Sequence, residues 1–341
     1  MIGEITAVIV SWNDEAEVMA CVAALAAARD RLPESGGVRA SLVVVDNGGG
    51  LAAPAVQKLW PGATVLVNIA NRGFAPAANQ GAAAAAGDAV LFLNPDTRAE
   101  GEPFTPIARA FDADARLAAV APRLTEMEGT ASPRGPLDLA PPGREDQATF
   151  QLRRLPTLGS DARELLLVDH LAPNNRGRRR SRYAGEDRGR PFIVEQAAAA
   201  ALAVRKSAFE RVGGFDERFV PAWYEDVDLC ARLAGEGGIL YAPEARFRHR
   251  GGESAARLGY DRFLPILYRN ALRYRDRRYG PFARMAYRPL LAAGMLLRLL
   301  VLPARPEVPR SRGEAARAYL RVLGLALGLA PSESRLAAPD P

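Results

Sequence analysis

The sequence predicts an α/β fold with a mostly parallel central sheet and a C-terminal helical extension. Apolar, β-branched runs bounded by turn residues predict four buried strands, namely ITAVIV, SLVVVDN, ATVLVN and AVLFLN. Helical patterns follow the first and third runs, and strands that alternate with helices pair in parallel. Ligands of such sheets bind beyond the carboxyl ends of the strands.

The composition is that of a folded protein, since 48% of the 341 residues are hydrophobic and 25% are charged. Cys21 and Cys230 lie far apart in helical patterns, so neither a disulfide framework nor a cysteine zinc site is indicated, and we expect a reducing cytosol. The N-terminal segment has no basic flank or cleavage site, which favours a strand over a signal peptide. The net charge of +6 suits nucleic acid, an anionic membrane surface or a phosphorylated substrate.

The pattern becomes less regular in the middle of the chain. Residues 128–190 are rich in Pro, Gly and Arg, and we expect them to form a long, irregular and mobile excursion. A strand and a short helix ended by Gly213-Gly214 follow. A helix near Glu225 and a strand near ILYAPEARF then complete the domain by about residue 255.

The last part of the chain has helical patterns over 262–303 and 314–330. These runs are strongly apolar but contain Arg288, Pro289 and Arg298, so they fit poorly to a spanning helix of about 20 uncharged residues. Two interpretations stay open: a helix lying on an anionic membrane surface, or a helical pair packed on the domain's own surface.

The first chemical candidate is Asp96, which follows the fourth strand in LFLNPDT. A carboxylate there is placed to hold a hard divalent cation, Mg²⁺ or Mn²⁺, against a diphosphate. Taken alone, Asn94-Pro95-Asp96 is also a common turn sequence. The sequence therefore predicts a metal site here only if further ligands converge on it.

The second candidate is the helix start in WYEDVDLCARL. Acidic residues in a first turn complement the helix dipole, and that explanation suffices for Asp228, which also pairs with Arg232 four residues on. Asp226 fits the requirements of a general base for an acceptor hydroxyl. The neighbouring residues assigned to the acceptor side are Trp223, Tyr224 and Glu225.

The third candidate is His249, which follows an apolar strand and precedes Gly251. A lone histidine is usually not a ligand. If its strand end converges with Asp96, however, its imidazole can complete a Mg²⁺ or Mn²⁺ shell together with diphosphate oxygens. The other histidine, His170, has no such support.

Polar residues beyond the first strands are candidates for binding a nucleotide and a donor sugar. Asp46 can accept a base N–H, Trp12 can pack on the nucleoside, and Arg72 can meet a phosphate, although Asp46-Asn47-Gly48 is also a good turn. The full predicted set is Ser11, Trp12, Asn13, Asp46, Asn47, Arg72, Gly73, Asn79, Asn94 and Asp96.

Taken in order, these motifs resemble the family 2 glycosyltransferases of the GT-A fold, and among them the bacterial rhamnosyltransferase-like branch. The resemblance spans about residues 4–255 and rests on VIVSWN, VVVDN, NRGFAPAANQG, LFLNPDT, VGGFDERF, YEDVDLCARL and the closing histidine. It implies a Rossmann-like nucleotide-diphospho-sugar transferase fold.

The resemblance also implies roles for individual residues. Asp96 matches the last carboxylate of the family's Asp-x-Asp metal motif, Asp226 the catalytic base, and His249 a metal-binding histidine. The implied reaction is a single displacement that inverts the anomeric centre. The sequence departs from the pattern at Asn94, which stands in place of Asp, and at Ala197–Ala201, which replaces the small polar residues expected near the acceptor.

The resemblance divides the chain into a catalytic domain, residues 1–255, and a helical extension with a disordered tail, residues 256–341. It implies a dTDP- or UDP-sugar donor, such as dTDP-rhamnose, and a glycan or lipid-linked acceptor in cell-envelope polysaccharide synthesis. The expected location is cytoplasmic, at the inner face of the plasma membrane, with peripheral contact to anionic lipid.

Other classes of protein fit the sequence less well. A nucleic-acid binder would interleave aromatic residues with Lys and Arg, and no such stripe is visible. A dinucleotide-dependent oxidoreductase would carry G-x-G-x-x-G after the first strand, but Gly48-Gly49-Gly50 follows the second. A non-catalytic relative that keeps the nucleotide pocket as a scaffold stays open, although retention of Asp96, Asp226 and His249 favours an enzyme.

Overall fold

The strands predicted from the sequence are present in the computed structural model. The model describes residues 1–33, 37–127, 151–251, 258–304 and 311–329. The described strands are β1 (Glu4–Ser11), β2 (Arg39–Asp46), β3 (Thr64–Val67), β4 (Ala89–Leu93), β5 (Thr97–Glu100), β6 (Ala119–Glu126), β7 (Leu152–Arg153), β8 (Phe192–Val194), β9 (Gln196–Ala197), β10 (Ala201–Arg205) and β11 (Ile239–His249).

Helices cover both faces of the sheet and form the C-terminal part of the chain. The described α-helices are α1 (Glu15–Arg29), α2 (Ala53–Leu59), α3 (Phe74–Ala84), α4 (Phe104–Ala113), α5 (Leu158–Leu165), α6 (Val168–Leu171), α7 (Arg176–Ser181), α8 (Lys206–Arg211), α9 (Glu225–Leu233), α10 (Tyr260–Tyr279), α11 (Pro281–Val301) and α12 (Arg312–Leu327).

The main sheet has the order β3-β2-β1-β4-β10-β6-β11-β5, and β8 also pairs with β11. β1 is parallel to β2 and β4, β2 to β3, and β6 to β11. β10 lies antiparallel between β4 and β6, while β5 and β8 are antiparallel to β11. Most strands therefore share one direction, which confirms the predicted mostly parallel α/β sheet.

The core lies on both faces of β1 and β4, whose apolar side chains are buried on each side. Alanine-rich α3 packs unusually close to the sheet, because a Cβ on Gly81 would lie 2.4 Å from the Cγ1 of Val8. Small side chains allow this approach, so the many alanines of α3 serve packing.

The expected irregular structure over 128–190 is wrong for much of residues 152–181, whereas residues 182–190 form turns and bends. Residues 152–181 form β7, which pairs with β9, and three short helices. A capping box between Thr157 and Ser160 begins α5. Helices of four to eight residues are too short to give a visible period, and packing stabilises them: α5 packs on α11, and α6 and α7 pack on α5. Residues 128–150 lie outside the described residues.

The predicted C-terminal helical extension is confirmed, with a break at Gly280 between α10 and α11, where φ is +82°. α10, α11 and α12 pack on one another around a buried cluster that includes Tyr268, Leu291 and Tyr319. Contrary to the expectation from its arginines, the segment Pro281–Ala304 is apolar enough to cross a membrane by length and composition, with a mean hydropathy of 1.5. The proposed boundary near 255 and the expected disordered tail over 330–341 lie outside the described residues.

Candidate active site

The Asn94-Pro95-Asp96 segment forms the tight connection between β4 and β5. The backbone oxygen of Asn94 accepts hydrogen bonds from the N–H of Thr97 (3.2 Å) and from its hydroxyl (2.7 Å). The N–H of Asn94 donates to the backbone oxygen of Ala200 (3.1 Å). The segment is therefore a turn, and this turn holds Asp96 at the carboxyl end of β4.

Asp96 and His249 lie side by side, because β5 and β11 pair with Thr97 opposite His249. The Nε2 atom of His249 is 3.3 Å from the Oδ1 atom of Asp96, and the N–H of Gly251 donates to the Oδ2 atom (3.2 Å). Both side chains are buried. Burial would raise the pKa of Asp96, but the contacts with His249 and Gly251 outweigh it and hold that pKa below its ordinary value.

The Asp96–His249 pair fits a divalent cation as two of its ligands. Neighbouring ligands about 2.1 Å from an octahedral metal ion lie about 3 Å apart, and the separation here is 3.3 Å. No group of three or more His, Cys, Asp or Glu suited to a metal occurs among the described residues. The protein would thus hold the ion with these two side chains and leave the other positions to oxygens of a ligand or water.

Asp226 is the second residue of α9, and the two residues that precede this helix have an unusual backbone conformation. Trp223 (φ +72°) and Tyr224 (φ +74°) both lie in the left-handed region, which non-glycine residues rarely adopt. The side-chain amide of Asn270 in α10 donates to the backbone oxygens of Ala222 (2.9 Å) and Trp223 (3.0 Å). A helix from the C-terminal part therefore stabilises the strained turn that positions Asp226.

The first two side chains of α9, Glu225 and Asp226, have raised pKa values. Burial and the neighbouring charge of Asp226 raise the pKa of Glu225 well above its ordinary range. Burial also raises the pKa of Asp226, although the N–H groups of Val227 and Ala199 and the charge of Arg153 oppose the shift. A carboxyl group with a raised pKa suits proton transfer near neutral pH.

The Asp226 and Asp96 regions are joined by two consecutive residues. The N–H of Ala199 contacts the carboxylate of Asp226, and the backbone oxygen of Ala200 accepts from the N–H of Asn94. The alanine segment 197–201 thus lies between the two acidic groups.

Replacing Glu225 with glutamine is expected to raise the melting temperature at pH 8 more than at pH 5. The folded protein holds this proton more tightly than the unfolded chain, so wild-type stability falls as pH rises above about 4.5 towards the raised pKa. The neutral variant avoids that loss, which is roughly 1 kcal/mol or more for each pKa unit. Thermal unfolding at both pH values, with exposed Glu244→Gln as the control, measures the effect; an equal shift at both pH values would contradict it.

The side chain of Asn47 is fully engaged within the protein. Its Nδ2 donates to the Oδ1 of Asn71 (2.9 Å) and the backbone oxygen of Gly73 (3.1 Å), and its Oδ1 accepts from Asn68 and from the N–H of Arg72 (both 3.1 Å). A direct contact with a nucleotide would require breaking these bonds. Asn47 therefore positions the loop over residues 68–73.

Two other residues predicted to bind nucleotide also hold protein loops. The carboxylate of buried Asp46 accepts from the N–H groups of Gly49 and Leu51, each at 2.7 Å. The amide of Asn79 donates to the backbone oxygen of Phe215 (2.9 Å) and accepts from its N–H (2.9 Å). Both side chains are therefore bonded to backbone groups of the protein itself.

Other predicted residues lie at the carboxyl end of β1 and in the loop after β3. Trp12 is half-buried, Asn13 is exposed with φ +52°, and Ser11 is buried at the end of β1. Arg72 is exposed, and its guanidinium has no ion pair among the described residues. The N–H of Phe74, the residue after Gly73, donates to the backbone oxygen of Pro221 (2.8 Å). This bond joins the loop that contains Arg72 to the loop before α9.

A separate groove of about 500 Å³ lies behind α9, lined by residues that include Arg211, Arg232, Glu236 and Arg278. Its charges are largely neutralised, since Arg211 pairs with Glu236 and Arg232 with Asp228, both at 2.7 Å. The predicted Asp228–Arg232 pair is thereby confirmed. This groove holds none of the residues predicted for the site.

Sequence patterns missed the supporting residues Asn270 and Arg153, and they singled out the segment Ala197–Ala201 without the backbone role of Ala199. Asn270 could have been noticed as a polar residue on the apolar face of α10, where it is fully buried. Ala199 acts through its backbone N–H, which its side chain does not reveal, and Arg153 lies in the segment expected to be irregular.

Comparisons with known proteins agree with this architecture. The family model of glycosyl transferase family 2 matches residues 6–183, just over half of the chain. An N-acetylglucosaminyl-diphospho-decaprenol L-rhamnosyltransferase from Mycobacterium tuberculosis is 28% identical over 233 residues, which cover 64% of this chain and 68% of that protein.

Two solved structures share the fold at low sequence identity. GalNAc-T7 with UDP, GalNAc and Mn²⁺ gives a TM-score of 0.54 at 15% identity, covering 93% of this chain and 54% of that one. The mannosyltransferase PcManGT from Pyrobaculum calidifontis, in complex with GDP-Man and Mn²⁺, gives 0.50 at 15% identity, covering 94% and 86%. The fold is thus that of GT-A glycosyltransferases, and the chain is a glycosyltransferase that belongs to glycosyl transferase family 2, similar to its rhamnosyltransferases.

Proposed function

We propose that the protein is an inverting glycosyltransferase that moves a sugar such as rhamnose from a dTDP- or UDP-activated donor to an acceptor hydroxyl. The observation that carries this proposal is the arrangement of two acidic groups around one segment. Asp226 contacts Ala199, while Asn94, two residues before Asp96, is bonded to Ala200. A base and a diphosphate site that are both tied to neighbouring residues of one small-residue segment suit a displacement at a carbon held beside that segment.

In the proposed reaction, the carboxylate of Asp226 accepts the proton of the acceptor hydroxyl as its oxygen bonds to the anomeric carbon. The bond from that carbon to the diphosphate oxygen breaks on the opposite face, so the configuration inverts. Asp96 and His249 would hold Mg²⁺ or Mn²⁺, which supplies Lewis-acid stabilisation of the leaving diphosphate. Exposed Arg72 is available to a phosphate of the donor.

The acceptor is proposed from the similarity to the mycobacterial protein. That relative is named for L-rhamnosyl transfer to N-acetylglucosaminyl-diphospho-decaprenol, a lipid-linked sugar. A glycan or lipid-linked acceptor in cell-envelope polysaccharide synthesis is therefore the proposed partner of this chain. Such an acceptor would be met at the inner, cytoplasmic face of the plasma membrane, with Trp223, Tyr224 and Glu225 on the acceptor side.

A thermal-shift panel of UDP, dTDP and GDP, each with and without Mn²⁺, tests the donor and metal assignments together. We expect one of the first two nucleotides plus Mn²⁺ to raise the melting temperature by several degrees, since a ligand at 100 times its Kd adds about 2.7 kcal/mol of stability. Mn²⁺ or nucleotide alone should give a smaller shift.

The two histidines provide a matched pair of variants for the same measurement. His249→Ala should abolish the Mn²⁺-dependent part of the shift, whereas His170→Ala, which changes the other histidine of the chain, should retain it. Nucleotide binding that is indifferent to Mn²⁺ in the wild type, or an unchanged shift in His249→Ala, would remove the Asp96–His249 metal site.

A further inference from the structure

The small sheet of β7 and β9 places two polar side chains on one accessible face. Arg153 in β7 lies opposite Gln196 in β9. The neighbouring pair, Leu152 and Ala197, is fully buried, whereas Arg153 and Gln196 are partly exposed. Directly opposite residues of two paired strands project from the same face. The accessible face therefore combines a guanidinium group with a side-chain amide.

Residues 196–200 connect Arg153 to the proposed base and to the proposed diphosphate site, in this order. The first residue of the segment pairs with Arg153, the fourth contacts Asp226 through its N–H, and the fifth accepts a hydrogen bond from Asn94, two residues before Asp96. The contacts of Arg153 and Asp226 are three residues apart, a distance of at most about 11 Å. Along this segment, Arg153 and the proposed donor diphosphate site thus lie on opposite sides of the contact with Asp226.

Arg153 lies close enough to Asp226 for their charges to interact. Burial raises the pKa of Asp226, and the charge of Arg153 opposes that shift. The next residue, Arg154, has a different role, because its guanidinium pairs with Glu195 (2.7 Å) and lies 5.1 Å from the ring centre of Tyr183. Of these two neighbouring arginines, Arg153 is the one beside the proposed base.

Hydrogen bonds within the protein fix the backbone that carries Arg153. The side chain of buried Gln151 donates to the backbone oxygen of Pro122 (2.6 Å) and accepts from the N–H of Leu124 (3.1 Å). The backbone oxygen of Gln151 accepts from the N–H of Ala198 (3.0 Å). The start of β7 is therefore held in place before a ligand arrives, which lowers the entropic cost of binding one.

We propose that Arg153, together with Gln196, binds a phosphate on the anomeric carbon of the acceptor sugar, so that the acceptor is a glycosyl diphosphate and not a neutral glycan. A guanidinium group binds phosphate oxygens through two parallel N–H bonds, and an amide N–H adds a third. When the acceptor hydroxyl meets Asp226, the phosphate at the other end of the same hexose falls within the span between the two contacts. This inference rests on the proposed transfer reaction and specifies the chemistry of its acceptor.

Calorimetric titration of the full chain with two synthetic acceptors tests this site. Both carry a decyl chain on N-acetylglucosamine, one through a diphosphate and the other directly as a neutral glycoside. Mn²⁺ is left out, so that a diphosphate cannot be held through a metal ion at Asp96 and His249. We expect the wild type to bind the diphosphate at least about tenfold more tightly than the glycoside, the effect of one charge-assisted hydrogen bond.

Three variants assign this preference to one side chain. Arg153→Met should bind both acceptors alike, and Arg153→Lys, which keeps the charge but not the planar fork, should retain part of the preference. The matched control is Arg154→Met, which removes the same charge from the next residue, whose guanidinium pairs with Glu195 (2.7 Å). It should keep the wild-type preference. Because each protein is compared with itself on two acceptors, a general loss of stability does not change the ratio.

Equal binding of the two acceptors by the wild type, or an unchanged preference in Arg153→Met, would overturn the inference. Transfer assays with the same acceptors address the reaction separately. Transfer to both acceptors with equal kcat/KM would contradict the inference and leave the proposed function standing. Preferential binding of the diphosphate without transfer to either acceptor would instead contradict the proposed function.

Discussion

Replacing Asp226 with asparagine is expected to lower kcat for sugar transfer by about 10²–10⁴-fold, the range attributed to a positioned acid or base. Asparagine keeps the size of the side chain and an oxygen for the N–H of Val227 (2.7 Å in the wild type), so the fold is retained. It cannot take up the hydroxyl proton. The Kd of the donor nucleotide should stay within a few-fold, because the proposed diphosphate site lies at Asp96 and His249.

Turnover and nucleotide binding are measured separately for this variant, with Asp187→Asn as a control at a side chain that is 67% exposed. Because the base must be ionised, the wild-type rate should also fall as pH is lowered through the raised pKa of Asp226. Unimpaired turnover in Asp226→Asn would exclude this residue as the base. Tight nucleotide binding without transfer by the wild type to any glycan or lipid-linked acceptor would favour the scaffold alternative.

Replacing Arg275 with alanine is expected to cost about 3–5 kcal/mol in the free energy of unfolding, because it leaves a buried carboxylate without its partner. Arg275 donates to Asp161 from both Nε (3.0 Å) and Nη2, and its guanidinium lies 3.7 Å from the ring centre of Tyr287. Asp161 and Arg275 are both buried between α5 and α10. This ion pair therefore joins the middle segment of the chain to the C-terminal helices.

Urea unfolding followed by circular dichroism measures the loss. Arg284→Ala is the control, since it breaks the partly exposed Arg284–Asp276 pair (3.4 Å) and should cost at most about 1 kcal/mol. The double variant Asp161→Asn/Arg275→Met removes both charges and should be less destabilised than Arg275→Ala. If Arg275→Ala and Arg284→Ala proved equally stable, the buried pair would have no special role.

The first four strands could be predicted because each is a continuous apolar run with a clear end, whereas β5, β6, α2 and α4 were not predicted. The ends of the predicted strands also pointed to Asp96 and His249 as candidate ligands, and the Nε2 atom of His249 lies 3.3 Å from the Oδ1 atom of Asp96. The antiparallel direction of β10 could not be predicted, because ALAVR is buried on both faces and reads alike in either direction. Strand direction is decided by the connections and not by the run itself.

The hydrogen-bond partners of polar side chains could also not be predicted from the sequence. Asn47 and Asn79 stand in the expected places, yet their amides bind protein loops, because hydrogen-bond partners depend on contacts between segments distant in the chain. For the same reason the helices over 151–190 were missed. Their buried residue Asp161 has its partner, Arg275, in α10.

The hydrogen bonds from α10 to the backbone before α9 link the C-terminal helices to the catalytic domain. Besides Asn270, Arg269 and Arg273 donate to the backbone oxygens of Val220 and Arg218. The residue proposed to drive catalysis is thus held in place by a helix that follows the segment resembling the family. We therefore expect residues 1–255 alone to lack the contacts that support the turn before Asp226, and exchange of the C-terminal helices between relatives to alter the proposed acceptor side.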